Sequence, residues 1–169
     1  MAASPHSSDR AGLPPMVSFV APSGTGKTTM VTDVIGRLTD AGHRVAAIKH
    51  DAHRIELDTV GKDSWKMRQA GAETLLVGAN QVAWMSDAGT APPLEDLVRL
   101  FFAEAELVIV EGWRSAELPT IIVDRPEARD GSWERPHHDR ILATLHPDEV
   151  DRAVALVLAQ LDASTGSTR

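Results

Sequence analysis

Short, almost wholly apolar runs alternate along this chain with stretches in which apolar residues recur every three or four positions. The first kind reads as strands buried on both faces and the second as amphipathic helices. Their alternation predicts a parallel sheet with crossover helices. Val17-Ser18-Phe19-Val20 is the first strand. Met30, Val31, Val34, Ile35 and Leu38 share one face of the helix that follows, with Gly42 placed to end it. A second strand is expected over residues 44–48, then a polar loop, then a helix over 62–70 that Gly71 closes. Strands over 74–78 and 81–85 are separated by Ala79-Asn80, which predicts a tight antiparallel hairpin. Leu94, Leu97, Val98 and Phe101 mark another core-facing helix. Strands over 107–110, 120–123 and 141–144 follow. Between the last two lies a charged segment, 124–140, that contains Pro and Gly and reads as a long mobile loop. Val150, Ala153, Val154, Val157, Leu158 and Leu161 form a final amphipathic helix. The polar flanks, 1–15 and 163–169, are expected to be disordered tails around a single domain, 16–162.

Where the first strand meets the first helix, the chain reads Ala21-Pro22-Ser23-Gly24-Thr25-Gly26-Lys27-Thr28-Thr29. Strand, glycine-rich turn and helix in this order are what a phosphate-binding P-loop requires, so the domain is expected to be a nucleotide-binding one with the P-loop NTPase fold. That means a mostly parallel twisted α/β sheet with helices on both faces and, from the hairpin, a small antiparallel extension. Gly24 and Gly26 let the backbone turn tightly, so that amides from Ser23 through Thr29 can face an anion at the positive end of a helix dipole. Lys27 would reach the outer phosphates and the Thr28 hydroxyl a Mg²⁺ ion. Ala21 stands where the motif has its first glycine, a tolerable change if the backbone there keeps a negative φ.

Composition narrows the function further. The 169 residues suffice for one well-buried α/β domain, and a hydrophobic content of 43% is ordinary for a globular chain. With no cysteine there is no disulfide framework and no thiolate metal site. A net charge of −7 argues against binding the phosphate backbone of nucleic acid. No apolar run approaches the ~18 residues needed to span a bilayer, and the first 15 residues lack the apolar core of a secretory signal. The cytoplasm is the expected compartment.

A second chemical signal is the apolar strand Leu107-Val108-Ile109-Val110 running into Glu111-Gly112. An acid at the end of such a strand helps hold the magnesium of a bound nucleotide, which pairs Glu111 with Thr28. Asp51, after the second strand, is a further candidate for the metal's water shell or for orienting an attacking water. With Lys27 and Glu111 it completes the expected catalytic set. His50 and His53 stand three apart, but no third ligand accompanies them, which argues against zinc. Trp113, beside the Glu-Gly turn, is given a packing role, as are Trp84 and Met85, whereas Trp65 fits either core or interface.

The segments Ala21 to Thr29, Ile48-Lys49-His50, Gly61-Lys62-Asp63-Ser64, Arg68-Gln69-Ala70-Gly71-Ala72 and Val110-Glu111-Gly112-Trp113 resemble, in this order and spacing, the molybdopterin-guanine dinucleotide biosynthesis adaptor (MobB) family. The resemblance spans roughly residues 16–124. It implies a dimeric GTP-binding protein of weak GTPase activity that assists the guanylyltransferase joining GMP to molybdopterin. It also implies that Lys49, Asp51, Lys62 and Asp63 line the nucleotide site or the pterin side. The family often has Thr in place of Asp51, and a Phe or similar aromatic in place of Trp113.

The residues alone leave alternatives open. No Asn-Lys-x-Asp guanine motif is present, so GTP rather than ATP rests on the resemblance. A small-molecule kinase or ligase of the same superfamily, similar to dethiobiotin synthase, would use the same P-loop, with 124–140 as its lid. A non-enzymatic, nucleotide-gated binding module is the third reading. Arg54, Arg68 and Arg114 are the guanidiniums considered for a finger, and only Arg114 follows directly from the Glu111 turn.

Overall fold

The strand that precedes the phosphate loop, β1 (Met16–Val20), is buried at all five positions. It can be so because it is central in a five-stranded sheet of order β2-β5-β1-β6-β7. The others are β2 (Val45–Lys49), β5 (Leu107–Glu111), β6 (Thr120–Val123) and β7 (Ile141–Leu145), and every pairing is parallel. Successive side chains point to opposite faces, and the core divides accordingly. Val17, Phe19, Leu107, Ile109, Ile121 and Val123 pack with helices α1 (Lys27–Asp40) and α4 (Val150–Gly166). Met16, Ala46, Val108 and Val110 pack with Leu94 and Val98 of α3 (Leu94–Phe101). The expected sheet with helices on both faces is thus present.

The computed structural model describes residues 10, 12–51, 55, 57–86, 92–128 and 133–166. They divide into two compact units, one of 1–51 with 94–169 and one of 52–93, where the sequence led us to expect one domain. The second unit comprises α2 (Asp63–Gln69) and the hairpin of β3 (Thr74–Val77) with β4 (Val82–Met85). Its strands pair antiparallel from Thr74↔Met85 to Val77↔Val82, and the Gly78 amide donates to the Gln81 carbonyl at 2.8 Å around Ala79-Asn80. This is the hairpin that the spacing predicts. It forms a sheet of its own because no strand of the five-stranded sheet pairs with it.

Helix α1 ends as Gly42 predicts. At φ +93°, Gly42 donates to the Thr39 carbonyl while His43 donates to that of Leu38, a Schellman closure. The segment before β1 is more engaged than its polar composition indicates. Arg10 donates to the buried Glu95 carboxylate at 2.8 Å and to the Ala116 carbonyl at 2.7 Å. Leu13 packs on the α3 side of the core, and the Pro15 carbonyl accepts from Val108. At the other end α4 runs to Gly166, past the expected stop at 162.

Candidate functional site

Strand register brings the candidate chemistry together. Phe19 of β1 and Lys49 of β2 both stand opposite Glu111 of β5, so three strands end at one level. Beyond that level the chain of β1 turns through Ala21 to Gly26, with Gly24 at φ +75° and Gly26 at φ +89°. Side chains rarely adopt these angles, which is why glycine occupies both positions. Thr25 is buried, and its hydroxyl donates to the Pro22 carbonyl at 3.0 Å, pinning the loop. Its side chain is therefore structural, and only its backbone amide remains for an anion. Ser23, Gly24, Thr28 and Thr29 are exposed.

Glu111 is the focus of this end of the sheet. The residue is only 7% exposed, and one carboxylate oxygen accepts from both the Lys27 ammonium and the Thr28 hydroxyl, the latter at 3.1 Å. A carboxylate this buried needs such partners. The structure thus brings Lys27, Thr28 and Glu111 together. Lys49 and Asp51 are exposed at the carboxyl end of β2.

Gly112 explains why the acid is followed by glycine. Its amide donates to the Phe19 carbonyl at 2.9 Å, while the His50 amide donates to the Glu111 carbonyl at 2.8 Å. A Cβ on Gly112 would lie 2.7 Å from the His50 carbonyl oxygen. The backbone after β2 can close over β5 only because nothing projects there. The His50 ring then stacks on Trp113 with centroids 4.7 Å apart, and Trp113 packs against the α3 side of the core.

Two residues at the loop escaped the sequence reading. A Cβ placed on Gly26 would meet Pro147 at 3.3 Å and the Arg125 Nη2 at 4.0 Å. Arg125 follows β6 and Pro147 follows β7, and strand order alone determines that these ends reach the P-loop. The turn carrying Pro147 is held by Glu149, which accepts from the His146 amide at 2.7 Å and from Arg152. Those two bonds keep its carboxyl below the ordinary glutamate range. Of the arginines considered from sequence, Arg114 donates to the Glu134 carbonyl at 3.4 Å. Arg68, within the second unit, faces Asp58 at 3.6 Å. His53 and Arg54 lie outside the described residues. Lys62 and Asp63 belong to the second unit, where Asp63 faces Lys66 at 3.4 Å.

The arrangement is equipped to seat a phosphate chain on loop amides and a small divalent cation against one hydroxyl and one carboxylate. Magnesium is commonly held in this way, by one or two protein oxygens with phosphates and water completing its octahedron. Among the described residues no cluster of three or more His, Cys, Asp or Glu is placed to form an all-protein cage.

Comparison with known proteins gives the family. The family model for molybdopterin guanine dinucleotide synthesis protein B (MobB) matches residues 16–146. The molybdopterin-guanine dinucleotide biosynthesis adapter protein of Haemophilus influenzae is 34% identical over 143 residues, covering 83% of this chain and 80% of its own length. The Escherichia coli adapter protein is 38% identical over 128 residues, covering 72% and 70%. Among solved structures, a crystal structure of molybdopterin-guanine biosynthesis protein B superposes with a TM-score of 0.61 at 27% identity, covering 85% of this chain and 98% of the other. Bacillus subtilis MobB gives 0.62 at 25% identity, covering 86% and 97%.

Proposed function

Because this chain belongs to the molybdopterin guanine dinucleotide synthesis protein B family, we propose that it serves that synthesis as an adaptor whose P-loop binds GTP with Mg²⁺. The observation that carries the nucleotide reading is the convergence of Lys27 and Thr28 on the buried Glu111 carboxylate. Lys27 is paired with Glu111. With nucleotide bound, Lys27 would reach the phosphates, and the Glu111 and Thr28 oxygens would hold the cation. Bound Mg²⁺ supplies charge neutralisation on the outer phosphates. Lys49 and Asp51, exposed at the carboxyl end of β2, would flank that end of the site, and Asp51 is the candidate for orienting water. The choice of GTP rests on the family rather than on any guanine motif.

Hydrolysis by the chain alone is expected to be slow. Arg114, the arginine nearest Glu111 in sequence, is directed to the Glu134 carbonyl. A guanidinium supplied in trans is worth ~10³–10⁵ in rate in other P-loop GTPases. Slow turnover fits a protein whose nucleotide state is read by a partner, here the molybdopterin guanylyltransferase. A homodimer belongs to the same proposal. Leu75, Leu76, Val77 and Val82 of the hairpin are 51–66% exposed and offer the apolar surface for it. A single protomer mass by light scattering at micromolar concentration, with and without GTP, would remove the dimer.

Reconstitution tests the adaptor role. This chain, GTP and Mg²⁺ are added to the transferase with molybdenum cofactor, and guanylated product is measured. The proposal expects a gain over transferase alone that Lys27→Ala does not give. No gain, or an equal gain from Lys27→Ala, would overturn it.

A further inference from the structure

We propose that Arg125 forms the nucleoside end of the P-loop site, its guanidinium lying against the ribose and purine of a bound nucleotide. The assignment rests on the nucleotide-binding reading above and adds to it the residue that distinguishes a nucleotide from a bare phosphate chain.

Strand order gives the direction. Glu111 ends β5, on one side of β1, whereas β6 and β7 lie on the other. A triphosphate seated on the loop with its metal-bound end at Glu111 and Thr28 sends its nucleoside the opposite way, across Gly26. Arg125 and Pro147 stand there, the Arg125 Nη2 at 4.0 Å and the Pro147 Cβ at 3.3 Å from where a Gly26 Cβ would be. Both follow the carboxyl ends of parallel strands, where ligands of open α/β sheets bind.

The state of the arginine supports the same assignment. Its side chain is 36% exposed, so part of the guanidinium is open to a ligand. Its Nε is buried and has no hydrogen-bond partner, and the Glu127 carboxylate at 4.0 Å is beyond bonding reach. Buried donors are seldom left unmet. A ribose or α-phosphate oxygen is the acceptor that a small reorientation on binding would bring to it. The planar face of an arginine also stacks on heteroaromatic rings, which a lysine ammonium cannot do. Pro147 adds an apolar wall with no amide proton of its own.

Calorimetry with two ligands separates the nucleoside from the phosphates. Mg²⁺–GTP and Mg²⁺–tripolyphosphate are titrated into wild type, Arg125→Ala, Arg125→Lys and Lys27→Ala, each checked for folding by its thermal melt. The assignment expects Arg125→Ala to lose roughly 10- to 30-fold in GTP affinity while tripolyphosphate affinity stays within about twofold. Arg125→Lys should recover only part of that loss, because it keeps the charge without the plane. Lys27→Ala should lose both ligands. Equal loss of both ligands in Arg125→Ala would make Arg125 a phosphate clamp and overturn the assignment, as would no loss of either. If wild type binds neither ligand, the P-loop reading itself fails, a result separate from any behaviour of Arg125.

Discussion

Replacing Gly112 by Ala should damage the protein more than any other single methyl group added at the described glycines. A Cβ there would stand 2.7 Å from the His50 carbonyl oxygen, where ordinary contacts run from 3.4 to 4 Å, so backbone must move. The residue also holds φ +87°, a left-handed angle that costs a non-glycine residue about 1–2 kcal/mol. Moving the His50 backbone lengthens the 2.8 Å bond from its amide to the Glu111 carbonyl, a contact of the kind worth about 0.5–1.5 kcal/mol. Together these give a loss of about 1.5–3.5 kcal/mol. At a urea m-value of about 2 kcal/mol/M, the unfolding midpoint of Gly112→Ala should fall by about 1–2 M. Gly36→Ala in α1 is the matched control, because nothing lies within 4 Å of the added methyl and φ is not positive. It should be neutral or stabilising by up to about 1 kcal/mol. If the Gly112→Ala midpoint matches wild type, the close approach of His50 to β5 is not what this glycine serves.

Glu111→Gln keeps the shape but removes the charge that a cation needs. It should abolish most of the Mg²⁺ dependence of nucleotide binding and hydrolysis while leaving metal-free binding within a few-fold; retention of the full Mg²⁺ dependence would pass the metal role to Asp51. Glu149, whose folded-state pKa is depressed chiefly by the His146 amide and then by Arg152, stabilises the protein above the ordinary glutamate range, and that contribution is lost as pH falls through the folded value. Glu149→Gln should therefore melt below wild type at about pH 7 and converge with it as pH falls below the ordinary glutamate range, whereas a constant gap would show that the charge of Glu149 has no part in holding the Pro147 turn.

The parts of the site carried by local chemistry were legible in the sequence. Gly24, Gly26, Lys27 and Thr28 declare themselves because a P-loop needs those residue types at that spacing after a strand. Glu111 is legible as an acid ending an apolar run. Helix α1 and the 79–80 turn follow from periodicity and turn chemistry. What long-range pairing decides was not legible. Nothing in the run from Thr120 to Val123 says that it lies beside β1, so Arg125 read as the start of a mobile loop rather than as a neighbour of Gly26. The partition into two units was hidden for the same reason. The runs at 74–77 and 82–85 are apolar enough for a central sheet, yet among the described residues they pair only with each other and leave Leu75 and Val77 exposed. Arg10 was passed over because its partner, Glu95, is 85 residues away.

The central claim is that this P-loop binds GTP through Lys27 and a cation held at Thr28 and Glu111. Titration of wild type and Lys27→Ala with GTP, with and without Mg²⁺, tests it most directly. Lys27→Ala should remain folded, because Thr28 still donates to the Glu111 carboxylate at 3.1 Å, and circular dichroism checks this. The account predicts Mg²⁺-strengthened binding by wild type and its loss in folded Lys27→Ala. Equal affinities in the two proteins would contradict it.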